Sequence, residues 1–365
     1  MKNQKIGLLL LLILWTGLTL FAWFKPADDA SLSERRPLAQ APELSVRSVL
    51  SGEYMQEFAS YAVDQFPLRD GFRQLKALTA QNLLGQWDNN GIYIENGSAV
   101  KMDYPLNENS AANAVERFQQ LYDLYLQENS NIVFSIVPDK GYYLGESSGH
   151  LTMDYQTLFN TVRDGLPWAS HVDLTGLLTA DSYYRTDTHW RQESILPVAQ
   201  ALAGALDCQV LTEAQTQLQT LDKDFYGVYF GQAALPMEPD SLHYLTWEGW
   251  EDCTVYHHDN GRTTAIYDLE KAGGKDPYDL FLSGGVAVQT VTNPQGQPGK
   301  SLVVFRDSFG SSLVPLLISG YETVTLVDTR YIFPDQVGNY VNFKDADILM
   351  LYSTSILNSS HTLRK

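Results

Sequence analysis

The chain has 365 residues, more than a minimal core needs, which predicts one large domain or a domain with an appended layer. Hydrophobic residues at 44% and charged residues at 19% exclude a disordered chain. The 25 basic against 43 acidic side chains give a net charge of −18, which repels nucleic-acid phosphates and anionic headgroups and leaves no nucleic-acid partner to expect.

At the N-terminus, Lys2 and Lys5 precede an uncharged run from Ile6 to Phe24. At about 1.5 Å per residue, such a helix spans a ~30 Å hydrocarbon core. FAWFKPADDA has no small-x-small cleavage site, so the run reads as a signal-anchor; the alternative is a cleaved signal peptide and a secreted protein. The basic side stays inside, making residues 1–5 a cytoplasmic tail and everything beyond residue 24 extracytoplasmic. Residues 25–50, rich in Pro, Ala, Ser and charge, read as a stem, leaving 51–365 as the folded domain.

Two helices broken near DQFPLRD are predicted next, and GIYIENGSAVKM reads as a hairpin with Asn96-Gly97 in a type I′ turn. Beyond it the pattern alternates. A helix over AANAVERFQQLYDLYLQE leads to strand NIVFSIV, and a helix over YQTLFNTVRDGL leads to strand HVDLTGLL. A third helix is expected from Trp190 to Leu206. Near the C-terminus come strand SLVVF, helix SSLVPLLIS, strand TVTLV, a helix around DQVGNYV and strand ADILMLY. Strands alternating with helices predict an α/β fold with a mostly parallel sheet covered on both faces. The stretch 220–290 reads as a β-rich insertion, with a hairpin around Asn260-Gly261. Cys208 and Cys253 form no metal motif, and both a bridge and two buried thiols remain open.

Two segments carry chemistry. In SLVVFRDSFGSSLVPLL, Ser308 stands where an apolar strand ends and a helix begins, beside free N–H groups that stabilise an oxyanion. Gly310 is expected to permit the tight turn there. Alone, this serine or Asp307 is better read as a helix cap. In YYRTDTHW, His189 is of the residue type that usually serves as a general base, and Asp187 lies two residues away to orient it. Trp190 is expected to wall the imidazole. His257-His258-Asp259 sit beside a turn and read as solvated rather than as metal ligands, for no third ligand has suitable spacing. No HExxH, phosphate loop or G-x-S-x-G elbow occurs, so no metal or cofactor is expected.

YYRTDTHW followed by VVFRDSFG, behind one N-terminal anchor, resembles the bacterial DHHW protein family, which is related to the AlgX/AlgJ alginate O-acetyltransferases and the SGNH hydrolases. The blocks RPLAQAPELSV, YAVDQFPLRDGF, NNGIYI, IVPDKGYYL, DPYDLFLSGG and VDTRYI extend the resemblance over residues 36–352. It implies an SGNH-hydrolase-like three-layer α/β/α domain with permuted motif order, in which Ser308 is nucleophile, His189 base and Asp187 its orienter. Arg330 matches a site arginine, the Ser308 N–H and Gly284 or Gly285 would form the oxyanion hole, and Arg306 and Trp190 flank the triad as further candidate contacts. Thr188 stands where the family tetrad has its first histidine, so any separate task of that histidine is in doubt. The implied function is O-acetylation of an exopolysaccharide or wall glycan, with a membrane-bound O-acyltransferase supplying acetyl groups. The rivals are an esterase with the same triad and a non-catalytic glycan-binding or scaffold protein.

Overall fold

The structure, a computed structural model, describes residues 2–31 and 33–365 and divides into two compact units. One unit comprises the chain up to Asn89 together with Phe230–Pro236. The other comprises Asn90–Tyr229 and Met237–Lys365, so part of the stretch grouped as 51–365 from the sequence falls in the first unit.

The first unit begins with helix α1 (Lys2–Phe24), of which Gln4–Phe24 is long and apolar enough to cross a membrane. Short strands β1 (Ala30–Ser31) and β2 (Arg36–Pro37) pair antiparallel. Helices α2 (Val46–Ser51), α3 (Glu53–Asp64) and α4 (Arg69–Leu78) follow, the last two broken at the expected Pro67. Two of the family-like blocks meet here. The Arg36 guanidinium grips Asp64 through two hydrogen bonds of 2.8 and 2.6 Å, and the Ala39 N–H donates to the same carboxylate. These donors hold Asp64 at about 2, below its ordinary range.

The second unit opens with hairpin β3 (Ile92–Glu95) and β4 (Ser98–Lys101). Asn96 and Gly97 both have positive φ, 50° and 77°, as a type I′ turn requires. Helix α5 (Glu108–Leu121) leads to β5 (Ile132–Val137), short helix α6 (Lys140–Leu144), α7 (Tyr155–Gly165) and β6 (Ser170–Val172). The third predicted helix starts late. Helix α8 covers Leu196–Ala205, and Trp190 instead forms a β-bridge with Tyr183. Pro197, suited only to a helix's first turn, sets that start.

The insertion contains hairpin β7 (Gln217–Phe225) and β8 (Asp240–Thr246), with α9 (Val228–Ala233) between them. Next come β9 (Thr254–His257), β10 (Thr263–Ala265), α10 (Leu269–Ala272) and β11 (Val288–Thr292). The chain closes with β12 (Ser301–Arg306), α11 (Gly310–Leu317), β13 (Thr323–Val327), β14 (Asp347–Ser353) and α12 (Thr354–Leu357). The region expected to be helical around DQVGNYV is a 3₁₀ helix, Pro334–Asn339.

Eight strands form the main sheet in the order β10-β9-β11-β13-β12-β14-β5-β6. From β13 to β6 every pairing is parallel, while β11, β9 and β10 add antiparallel at the edge. Alternate residues feed opposite faces: Leu302 and Val304 face the core beneath α8 and α11, and Val303 and Phe305 face that beneath α5 and α7. Each such fully buried side chain contributes about 1.5–3 kcal/mol of hydrophobic stabilisation. This is the three-layer α/β/α arrangement expected from the sequence. Parallel strands put the carboxyl ends of β12, β13, β14 and β5 on one edge, where loops gather chemistry.

Candidate active site

Ser308 follows β12 at that edge. Asp307, not Ser308, satisfies the turn: its Oδ1 accepts from the Phe309 N–H at 3.1 Å and its Oδ2 from the Ser353 N–H at 2.8 Å. Helix α11 takes no side-chain cap from its N-cap residue Phe309. The Ser308 hydroxyl is thereby left for another partner, and the cap alternative for this serine does not hold. Gly310 has no positive φ. A Cβ there would stand 2.8 Å from the Arg306 Cβ, so the glycine serves close approach to β12 rather than an unusual turn.

The partner is His189. Its Nε2 lies 2.8 Å from the Ser308 Oγ, and its Nδ1 lies 2.6 Å from the Asp187 Oδ1. An ionised carboxylate only accepts, so Nδ1 carries the proton and Nε2 accepts from the serine hydroxyl. Asp187 is fully buried, His189 is 7% exposed and Ser308 is half-buried, which leaves the hydroxyl in reach of solvent.

Elements remote in sequence hold the D-x-H segment. The second Asp187 oxygen accepts from the Val228 N–H at 2.7 Å, and the first also accepts from the His189 N–H at 3.0 Å. Asp240, at the start of β8, accepts from the N–H groups of Arg185 and Thr186 and from the Thr186 hydroxyl at 2.9, 2.8 and 2.6 Å. From the other side, the buried Lys140 donates to the carbonyls of Tyr184 and Arg185 at 2.9 and 3.2 Å. Burial lowers its pKa to about 7. Thr188, at the departure from the family tetrad, accepts from the Tyr229 hydroxyl at 3.0 Å.

Tyr278, not Trp190, lies against the imidazole, stacked at 3.8 Å between centroids and 6° between planes. Successive residues near an extended bridge point opposite ways, which sends the Trp190 side chain into the core while His189 reaches Ser308. The Trp190 indole N–H donates to the Ser312 hydroxyl at 2.8 Å, and the Tyr278 hydroxyl meets the same oxygen at 2.8 Å. Burial raises the Tyr278 pKa, keeping the phenol neutral.

The remaining candidates lie in differing surroundings. Arg306 is fully buried; its Nη2 donates to Gln289 at 3.0 Å, and burial lowers its pKa. A substrate group does not reach it there. Arg330 grips Asp328 through two bonds of 2.9 and 2.6 Å, which raise its pKa against its burial, and 19% of its side chain is exposed. Gly284 has φ +90°, and its N–H donates to the Phe281 carbonyl, so that donor is already used. The N–H groups of Ser308 and Gly285 donate to none of the described residues.

His257, at the end of β9, is buried rather than solvated and bonds Thr264 of β10 at 2.9 Å, while His258, just past β9, is half-buried and bonds Thr290 of β11 at 3.0 Å. Cys208 and Cys253 are free thiols, and burial raises the Cys253 pKa to about 12. Among the described residues no group of three or more His, Cys, Asp or Glu is arranged for a metal.

Sequence reasoning missed Tyr278, Lys140, Asp240 and Val228. The first two lie in the blocks DPYDLFLSGG and IVPDKGYYL, whose resemblance to family blocks did not show what they do. Asp240 and Val228 carried no local signal.

An α/β fold with a serine, histidine and aspartate hydrogen-bonded in series at the carboxyl edge defines a serine-centred site on a three-layer α/β/α scaffold. No family model and no curated protein matches the sequence. Solved structures do match the fold. A DHHW family protein from Eubacterium siraeum is similar at a TM-score of 0.61 and 20% identity, over 76% of this chain and 97% of that one. Bacillus cereus PatB1 with a sulfonyl adduct is similar at 0.61 and 17%, over 75% of this chain and 98% of that one. The O-acetyltransferase domain of Pseudomonas putida AlgJ is more distant, at 0.45 and 13%, over 73% and 92%.

Proposed function

We propose that the protein is a membrane-anchored, extracytoplasmic O-acetyltransferase that moves an acetyl group onto hydroxyls of an exopolysaccharide or cell-wall glycan. The carrying observation is the Ser308–His189–Asp187 hydrogen-bond series. His189 Nε2 takes the Ser308 proton as Oγ attacks the donor carbonyl, and the imidazolium returns that proton to the leaving oxygen. Nε2 then takes the proton of a glycan hydroxyl as it attacks the acyl-serine, and Ser308 regains its proton. Asp187 stabilises the transient imidazolium, and the Ser308 N–H is the first oxyanion donor. The apolar helix α1 supports anchoring, and a membrane-bound O-acyltransferase is the proposed source of acetyl groups outside the cytoplasm.

Because a fold relative is known with a sulfonyl adduct, an arylsulfonyl fluoride is the direct probe. Intact-mass analysis should show one adduct on the wild type, none at this site in Ser308→Ala, and much slower labelling in His189→Ala. Equal labelling of all three would refute the site. With an acetyl-phenol donor, oligosaccharide should accelerate phenol release and receive the acetyl group; release to water alone would make the enzyme an esterase.

A further inference from the structure

We propose that an aromatic cleft beside this edge binds a polysaccharide strand that is uncharged or carries amines, and that it excludes polyuronates. The cleft, about 880 Å³, is lined by Tyr104, Tyr142, Tyr155 and Phe159, with Glu108 and Glu146 also in its wall. The cleft shares Tyr142, Gln156 and Phe159 with a separate smaller hollow of about 320 Å³, which Arg163 and His171 also line. Its size lies in the range of about 300–1,000 Å³ of small-molecule sites, but its open form suits a chain.

The rings are held at fixed angles. Tyr142 stands edge-on to Tyr155 at 5.2 Å and 87°, and tilts against Phe159 at 5.9 Å and 47°. Tyr104 is 54% exposed, and the other three are half-buried, so part of each ring is available to the apolar C–H faces of sugar rings. The main cleft is lined by acidic side chains, Asp154 included, and by no Lys or Arg. Together with a net charge of −18, this disfavours a polyanion and favours an amine-bearing or neutral glycan.

Position ties the cleft to the serine. The Tyr155 hydroxyl donates to Asp139 at 2.8 Å, and Thr354 donates to the other Asp139 oxygen at 2.6 Å. Its neighbour Ser353 donates its N–H to Asp307, the residue before Ser308. The cleft therefore lies along the loop that follows β5, which these bonds join to the edge that carries Ser308. Its role as the acceptor's seat rests on the proposed transferase reading; the binding itself does not.

The test is calorimetric titration of the full-length chain in detergent with three hexasaccharides: N-acetylglucosamine, glucosamine and mannuronate. The first two should bind and the third should not. Tyr104→Ala should weaken binding at least tenfold. The exposed double variant Glu108→Lys/Glu146→Lys should weaken the glucosamine oligomer at least threefold and admit the uronate. Ser308→Ala should bind like the wild type, whether or not the serine proves catalytic. Tight uronate binding to the wild type, no binding of any oligomer, or indifference to the Tyr104 and Glu108/Glu146 changes would overturn the proposal.

Discussion

At the scale of single residues, the site turns on a division of labour between neighbours. Asp307 takes the turn's backbone donors, which frees the Ser308 hydroxyl for His189. Asp187 has both oxygens committed, one to the imidazole and one to the Val228 N–H. Asp187→Asn keeps the shape but presents an amide donor to Nδ1 and inverts the tautomer. Turnover of the acetyl-phenol donor in the proposed reaction should fall about 10⁴-fold with little change in folding. Steady-state kinetics beside a thermal melt checks this. Tyr278 acts through His189 as a positioning residue. Tyr278→Leu removes the stacked ring, and kcat should fall about tenfold with KM unchanged, whereas Tyr278→Phe keeps the stack and should lose far less. An unaltered kcat in Tyr278→Leu would show that the ring does not orient the base.

At the scale of elements, the β-rich insertion is a buttress. Gly227, just past β7, lies so close to the D-x-H segment that a Cβ would sit 2.2 Å from the Asp187 Cβ and 2.5 Å from its backbone nitrogen. Gly227→Ala should displace the aspartate, cost about 1–3 kcal/mol of stability by overpacking, and slow catalysis. Urea denaturation and kinetics on the same preparation test both effects; a wild-type midpoint would mean that the contact is not tight. None of this was legible locally. Residue 227 is one glycine among 26, and only the fold brings it against a segment about forty positions earlier. The Asn96-Gly97 turn, in contrast, was readable because both dihedral requirements sit within two adjacent residues.

At the scale of the whole molecule, buried charge sets the response to pH. Lys140 has its pKa lowered to about 7 by burial, against 10.5 for an ordinary lysine. Between those values the unfolded chain holds a proton at this lysine that the folded chain lacks, so unfolding binds a proton and the contribution of Lys140 to stability rises with pH across that window. Below about 7 both states are protonated and the contribution levels off. Lys140→Met should flatten this rise, which urea unfolding of both proteins from pH 7 to 10 will show; parallel slopes would rule out the lysine as its source. The same residue clamps the carbonyls of Tyr184 and Arg185, so the segment bearing His189 depends on a group set by overall burial.

What the sequence determined by itself is what short-range physics encodes. That comprises the apolar run of α1, the alternation of strands and helices, the hairpin turn, and three residue types suited to acyl transfer. Periodicity sets which face of a strand or helix is apolar, and residue chemistry sets which side chains are able to serve as nucleophile, base and orienter. What only the tertiary structure decided is which groups meet. It turned Trp190 inward and set Tyr278 on the imidazole, committed Arg306 and Arg330 to buried or paired positions, and brought the insertion's Val228 and Asp240 beneath the D-x-H segment. These contacts join residues far apart in the chain. No local pattern records them, because close packing of the whole core sets their geometry.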